Sequence, residues 1–160
     1  LLLGDYSSFQ ELAADYHLWH LCTEPLSLAT SQTDPLTRKK AIPIQLLNDE
    51  VICFYTATLE DEPLSLKLLR QYHVQPKSII PINSSLLMTN YIKNNLAYAL
   101  VTPTRSGGFF APLPDFTLIP IVPKIEMELV LFTYKKAFTA SESAFCDMLK
   151  KTFLKSKQIF

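Results

Sequence analysis

The residues with the clearest potential for chemistry form an H-x-x-H-x-C pattern near the start of the chain. His17, His20 and Cys22 carry the nitrogen and sulfur atoms that zinc prefers as ligands. In a strand, however, His20 and Cys22 would share one face while His17 points to the other. The sequence holds no second ligand cluster that would complete a tetrahedral site. We therefore predict a structural role for this pattern, with no metal and no cofactor.

Side chains suited to catalysis are few. The acidic run at 60–62 could supply general acids or bases, but acids followed by Pro63 are typical of a solvated helix start. Cys53 lies in an apolar stretch, where a thiol normally packs without reacting. The sequence contains no G-x-S-x-G, P-loop, H-E-x-x-H or C-x-x-C motif. These observations predict a protein that is not an enzyme.

The amino-acid composition further restricts the class of protein to which the chain could belong. The 160 residues include 15 basic and 15 acidic side chains, so the net charge is zero and a dedicated polyanion-binding surface is not expected. Hydrophobic residues make up 48% of the chain, which is enough for a core. Three cysteines suggest reduced thiols in the cytoplasm, and no apolar run approaches the roughly 18 residues of a membrane span. Because the chain starts at Leu1 in the middle of an apolar pattern, it reads as a fragment.

Alternating strand and helix patterns define the elements that must position any site. Strands are predicted at 1–3, 18–21, 26–29, 51–55, 78–82, 97–101, 118–122 and 127–134, and helices at the segments that begin near 63, 84 and 139. The two prolines at 120 and 123 suggest that 118–122 is an edge or crossover segment. Alternation through the centre of the chain predicts an α/β lobe with largely parallel strands.

Helix faces follow from apolar spacing. Thr139 and Glu142 form a capping box that opens the last helix, whose predicted inward residues are Phe145, Met148, Leu149 and Phe153. In the middle helix, the predicted buried residues are Leu87, Tyr91 and Ile92.

The order of these segments resembles the effector-binding domain of LysR-type transcriptional regulators. The segment 20–29 is similar to the family's P-L-x-x-E-x-L-x-L-V crossing strand, and 33–36 to its H-P-L turn. Residues 2–5 resemble the D-L-x-I strand, and 129–131 with 141–149 the last strand and C-terminal helix.

The segment 92–103 looks like the family's V-x-x-G-x-G-I-A-L-L-P ending, with Asn95 and Ala97 in place of the two glycines. Asparagine tolerates a left-handed backbone better than most residues, which softens the first departure.

The resemblance implies an α/β fold of the type II periplasmic-binding-protein kind, with two Rossmann-like lobes joined by crossing strands. Lobe II would be 25–112, and 1–24 with 115–160 would complete a lobe I whose first half is absent from this chain. The winged helix-turn-helix that contacts DNA would precede Leu1. The implied function is that of a cytoplasmic sensor, a homodimer or homotetramer that binds a small polar metabolite between its lobes. The alternatives are a periplasmic-type solute-binding protein and an enzyme completed by the missing half.

Ligands of open α/β sheets bind beyond the carboxyl ends of strands, next to helix N-termini. With the two-lobe model, the residues that reach such positions are Asp5, Tyr6, Tyr55, Thr56, Asn83, Ser84, Ser85 and Thr102. The family resemblance also places the positions of Asp5 and of Ser84 and Ser85 in the effector cleft. Two simpler interpretations stay open, because Asn83 and Ser84 could merely cap a helix and Asp5 could be a solvated turn residue.

Overall fold

A computed structural model describes residues 2–5, 16–56, 64–102, 115–135 and 139–156 of the chain. The chain divides into two compact units. The first unit comprises Leu1–Glu24 with Met127–Phe160, and the second unit comprises Pro25–Glu126. The sequence-based division also changes lobe at residue 25, but it assigned 115–126 to the first lobe. The structure places this stretch in the second unit, because it pairs there with a strand that begins at Ser27.

The described elements follow the predicted alternation. In chain order they are β1 (Leu2–Asp5), β2 (Tyr16–Pro25), β3 (Ser27–Ser31), β4 (Ile42–Pro43), β5 (Val51–Tyr55), α1 (Leu64–Gln71), β6 (Ser78–Ile82), α2 (Ser85–Lys93), β7 (Ala99–Val101), β8 (Phe116–Val122), β9 (Glu126–Tyr134) and α3 (Ala140–Ser156). Short 3-10 turns cover Pro35–Arg38 and Ile44–Leu47. None of the helices in these described ranges is long and apolar enough to cross a membrane.

The second unit is built around β3. This strand lies between β7 and β8 and pairs antiparallel with both, so all five of its residues are buried. The strands β5 and β6 form a parallel pair, and a parallel bridge between Ile52 and Tyr98 joins β5 to the start of β7. Helix α2 covers one core cluster, where Met88 and Ile92 pack with Cys53 and Ala29.

Two predictions about the strands of the second unit are wrong. Its strands are mixed, since β5, β6 and the start of β7 run parallel while β3 is antiparallel to both of its neighbours. The strand β8 is also not an edge, because it lies between β4 and β3. Its proline is tolerated because Pro120 pairs with Ser27, the first residue of β3, and the short ladder to β4 begins only at Ile121.

The first unit contains a three-stranded sheet in the order β1-β9-β2. Its described core cluster combines residues of β2, β9 and α3: Leu21, Cys22, Leu129, Leu131 and Cys146, with Trp19 and Leu149 packed against them. The Trp19 indole donates a 3.1 Å hydrogen bond to the Thr133 hydroxyl, so its polar edge is satisfied.

Helix α3 begins with the predicted capping box. The backbone N–H of Thr139 donates to Glu142 Oε2 at 2.9 Å, and the backbone N–H of Glu142 donates to Thr139 Oγ1 at 3.2 Å. The predicted inward face is partly wrong, because Phe145 and Met148 are exposed while Cys146 is buried and Leu149 half-buried. The side chain of Phe153 lies outside the described set.

Removal of the capping box gives a first testable prediction. The substitution Thr139→Ala is expected to lower the free energy of unfolding by about 1 kcal/mol, because the first-turn amides of α3 lose a hydrogen-bond acceptor. Denaturant titration checks the value, and amide hydrogen exchange should show faster opening confined to the start of α3. The matched control is Thr152→Ala, which removes the same atoms from an exposed residue of α3 whose hydroxyl donates within the helix to the Met148 carbonyl. Equal effects of the two substitutions would contradict the role of the cap.

Candidate functional site

Three strand ends meet at one edge of the second unit. The strands β5 and β6 are parallel and in register from Val51 opposite Ser78 to Tyr55 opposite Ile82. The parallel bridge from Ile52 to Tyr98 gives β7 the same direction. The carboxyl ends of all three strands therefore lie on the same side of the unit, which is where ligands of α/β sheets bind.

Tyr55 and Thr56 close the first of these ends. Tyr55 is the last residue of β5, and 55% of its surface is exposed. The backbone N–H of Thr56 donates to the Ile82 carbonyl at 2.9 Å, which extends the pairing of β5 and β6 by one residue. This hydrogen bond holds Tyr55 beside the segment that leaves β6, so an exposed phenol stands at the edge of the site.

The segment after β6 turns directly into α2. Asn83 is exposed, and Ser84 is the N-cap, with an extended backbone at φ −124° and ψ 119°. The Ser84 hydroxyl accepts a 3.3 Å hydrogen bond from the backbone N–H of Leu87. The simpler interpretation of Ser84 as a cap is therefore correct for its side chain. Ser85 is the first residue of the helix, and its carbonyl accepts from the Thr89 hydroxyl at 2.8 Å.

Thr102 follows β7. Among the predicted site residues that the structure describes in the second unit, it is the only buried one, with 6% of its surface exposed. The structure thus brings Tyr55, Thr56 and Thr102 to the same edge as the start of α2. Among the described residues at this edge none carries a charged side chain. Hydroxyl and carboxamide groups can both donate and accept hydrogen bonds, and the N–H groups at the start of α2 donate, so the edge suits a small polar molecule that carries oxygen acceptors.

Two apolar residues at this edge were not predicted. Leu86 has 71% of its surface exposed, and Leu87 is 46% exposed, although Leu87 was expected on the buried side of α2. Met88 is buried in its place, and Ile92 is buried as predicted. The spacing of 88 and 92 by one helical turn is the sequence signal that could have identified the correct face.

The remaining predicted site residues lie elsewhere or outside the described ranges. Asp5 is the last residue of β1, where its backbone pairs with Leu129 in the first unit. The strand predicted at 1–3 therefore continues through Gly4 and Asp5, and the interpretation of Asp5 as a turn residue is wrong. Tyr6 lies outside the described residues, as does the acidic run at 60–62.

Of the candidate metal and nucleophile residues, Cys22 and Cys53 are packed in core clusters, whereas His20 is not. His20 is exposed and lies 3.0 Å from the Thr23 hydroxyl, whereas Cys22 is buried in the core of the first unit. No group of three or more potential ligands occurs within the described part of the chain. Cys53 is fully buried, and burial raises the pKa of its thiol to about 12, so the reactive thiolate is strongly disfavoured there.

The first replaced glycine position has the conformation expected of it. Asn95 adopts φ 55°, in the left-handed region, just after the C-terminal end of α2. The backbone N–H of Leu96 then donates to the Tyr91 carbonyl at 2.9 Å, which closes the helix end. Asparagine therefore takes over the geometry for which glycine is usually needed, and the turn is preserved.

The sequence matches no protein-family model and no curated protein. The structure, in contrast, has the fold of the effector-binding domains of LysR-type regulators, which is of the type II periplasmic-binding-protein kind. The predicted fold class is thus confirmed, and the family resemblance is confirmed at the level of the fold.

Three solved structures illustrate the likeness. The regulatory domain of CcmR from Synechocystis PCC6803, in complex with 2-PG, has a TM-score of 0.71 at 18% identity, over 87% of this chain and 67% of that one. The effector-binding domain of QuiR with shikimate has a TM-score of 0.66 at 19% identity, over 89% and 67%. Full-length CbnR with its target DNA complex has a TM-score of 0.70 at 11% identity, over 87% and 49%. The chain thus spans about two thirds of the isolated domains and half of the full-length regulator.

Proposed function

We propose that this chain is the effector-sensing part of a LysR-type transcriptional regulator. The observation that carries this proposal is the convergence of three parallel strand ends and the start of α2 on one edge of the second unit. In this proposal, Asn83, Ser85 and the first N–H groups of α2 bind oxygen atoms of a small polar metabolite, and Tyr55 packs against it. Thr102 contributes a hydroxyl at the buried side of the site.

The solved neighbours support a regulator over a transport-type binding protein, because CcmR is described as a regulatory domain and QuiR as an effector-binding domain. Contact with DNA belongs to the whole regulator in this proposal, as does assembly into a homodimer or homotetramer. We place the protein in the cytoplasm, which suits its three buried, free cysteines. Asp5 and Tyr6 remain predicted effector contacts, and binding between two lobes remains a prediction.

A ligand screen tests the proposal. Thermal unfolding of the chain would be followed with hydroxylated and phosphorylated carboxylic acids, with shikimate and 2-PG as the first probes. A true effector at about 100 times its Kd should stabilise the folded chain by about 2.7 kcal/mol and raise its Tm. The absence of any stabilising compound across such a library, with a folded protein, would count against the proposal.

Variants at the edge then locate the site. The substitutions Asn83→Ala and Ser85→Ala should each raise the Kd of a compound found in the screen about tenfold, because each removes one hydrogen bond to the ligand. Calorimetric titration measures the change. The matched control is Ser141→Ala, which removes an exposed serine from the first turn of α3 in the first unit. If both variants kept the original Kd, this edge of the second unit would not be the binding site.

A further inference from the structure

Three side-chain hydrogen bonds join the end of α2 and the start of β7 to the turn after β3 and to the start of β8. The most buried of them runs from the Tyr98 hydroxyl to Asp34 Oδ2, at 2.8 Å. Asp34 has only 6% of its surface exposed, and its other carboxylate oxygen accepts from the backbone N–H of Leu36 at 2.7 Å. The carboxylate is thus held on both oxygens, and the turn after β3 is tied to Tyr98.

The second bond starts at the replaced glycine position. Asn95 Nδ2 donates to the Thr33 hydroxyl at 3.1 Å, and that hydroxyl also lies 3.0 Å from Ser31 Oγ at the end of β3. A glycine at position 95 would supply the left-handed backbone but no side chain to reach Thr33. The asparagine therefore adds a connection that the resembled family pattern lacks.

The third bond is an ion pair at the start of β8. Lys93 Nζ lies 2.6 Å from Asp115 Oδ2, and the Asp115 carbonyl accepts from the backbone N–H of Gln32 at 2.9 Å. About half of each charged side chain is exposed, so this pair is the weakest of the three.

Tyr98 is the residue through which these connections reach the candidate site. Its backbone N–H donates to the Val51 carbonyl at 2.8 Å, and its carbonyl accepts from the backbone N–H of Cys53 at 2.8 Å. The same residue therefore holds β5 through its backbone and Asp34 through its side chain. A displacement of β5 would therefore strain the backbone hydrogen bonds of Tyr98 and, through the Tyr98 hydroxyl, the turn after β3.

We infer that these three links make α2, the start of β7, the turn after β3 and the start of β8 a single cooperative unit that opens as one body. The consequence for sensing rests on the proposed function, since an effector bound at the start of α2 would then shift β3 and β8 together with the helix. The inference itself needs no effector and concerns only the coupling within the second unit.

Native-state hydrogen exchange in low denaturant tests the coupling in the whole chain. In the unsubstituted protein, the amides of Leu36 and Thr37 should exchange with the same opening free energy as those of Met88 and Asn94 in and after α2. In the double variant Tyr98→Phe with Asn95→Gly, the turn amides should exchange about tenfold faster, while the helix amides change less than about threefold.

Two matched controls keep the test specific. Tyr91→Phe removes a hydroxyl for which the described part of the chain offers no hydrogen-bond partner, and Asn94→Ala removes only a 2.8 Å bond back to the Asn90 carbonyl. Both should leave the two sets of amides coupled. Unequal opening in the unsubstituted protein, or equal acceleration of both sets in the double variant, would overturn the inference. Neither result bears on the ligand screen, so the two proposals fail independently.

Discussion

The substitution Asp34→Ala is expected to lower the free energy of unfolding by about 2–3 kcal/mol, because it leaves two half-buried donors without their acceptor. These donors are the Tyr98 hydroxyl and the backbone N–H of Leu36, which lie 2.8 and 2.7 Å from the two carboxylate oxygens. A polar group that loses its partner inside a protein costs more than the net value of the hydrogen bond itself. Urea titration followed by far-ultraviolet circular dichroism measures the loss.

The conservative variant Asp34→Asn separates charge from hydrogen bonding. An asparagine side chain keeps an oxygen that can accept from the Leu36 N–H, and its NH2 group can donate to the Tyr98 hydroxyl oxygen, so both contacts persist as weaker, neutral hydrogen bonds. We expect it to recover about half of the lost stability. A double-mutant cycle that combines Asp34→Ala with Tyr98→Phe should give a coupling energy of about 1 kcal/mol or more between the Asp34 and Tyr98 side chains. Additive effects would show that the Asp34–Tyr98 contact contributes nothing of its own.

Stability should fall steeply in alkali, because two groups of the second unit resist deprotonation when folded. Burial raises the pKa of the Cys53 thiol from 9.0 to about 12. Burial is also the main cause that raises the pKa of the Tyr98 phenol, followed by its hydrogen bond to Asp34 and the negative charges of Asp34 and Glu50. Above pH about 9 for the thiol, and about 10 for the phenol, the unfolded chain releases a proton that the folded chain retains.

Each such group should therefore cost about 1.4 kcal/mol of stability per pH unit in its own window, and nothing below that window. Urea titrations at intervals of half a pH unit from 8 to 11 measure the slope. In Cys53→Ala the decline between pH 9 and 10 should disappear, although the variant is less stable at every pH because a buried sulfur is lost. An identical slope in both proteins over that interval would mean that Cys53 already loses its proton without unfolding.

Local patterns in the sequence were sufficient for the elements. The predicted strands at 51–55 and 78–82 coincide with β5 and β6, and the N-cap at Ser84 and the capping box at Thr139 are formed as expected. These features depend on residues within a few positions of one another, so the information is contained in a short window. The left-handed backbone at Asn95 agrees instead with the family resemblance, in which a glycine stands at this position.

Burial of individual helix residues was harder to foresee. Phe145 and Met148 are apolar and correctly spaced for an inward face, yet they are exposed, because α3 rests on its sheet through Cys146 and Leu149. A pattern of apolar spacing restricts the face to part of the helix, but the strand against which the helix packs decides its rotation. Leu87 and Met88 in α2 differ from expectation for the same reason.

The sequence by itself determined the order of the strands and helices and the helix caps. It also determined the resemblance to LysR-type effector-binding domains, which is loose in each motif but consistent in the order of the motifs. Only the tertiary structure decided that β8 lies inside a mixed sheet, that the ends of β5, β6 and β7 share one edge, and that Tyr98 reaches Asp34. The reason is physical. Strand neighbours and the 2.8 Å contact between residues 64 positions apart depend on pairings across the whole fold, which local propensity does not encode. The candidate site is built from hydroxyls, a carboxamide and helix N–H groups, which is compatible with the zero net charge of the sequence.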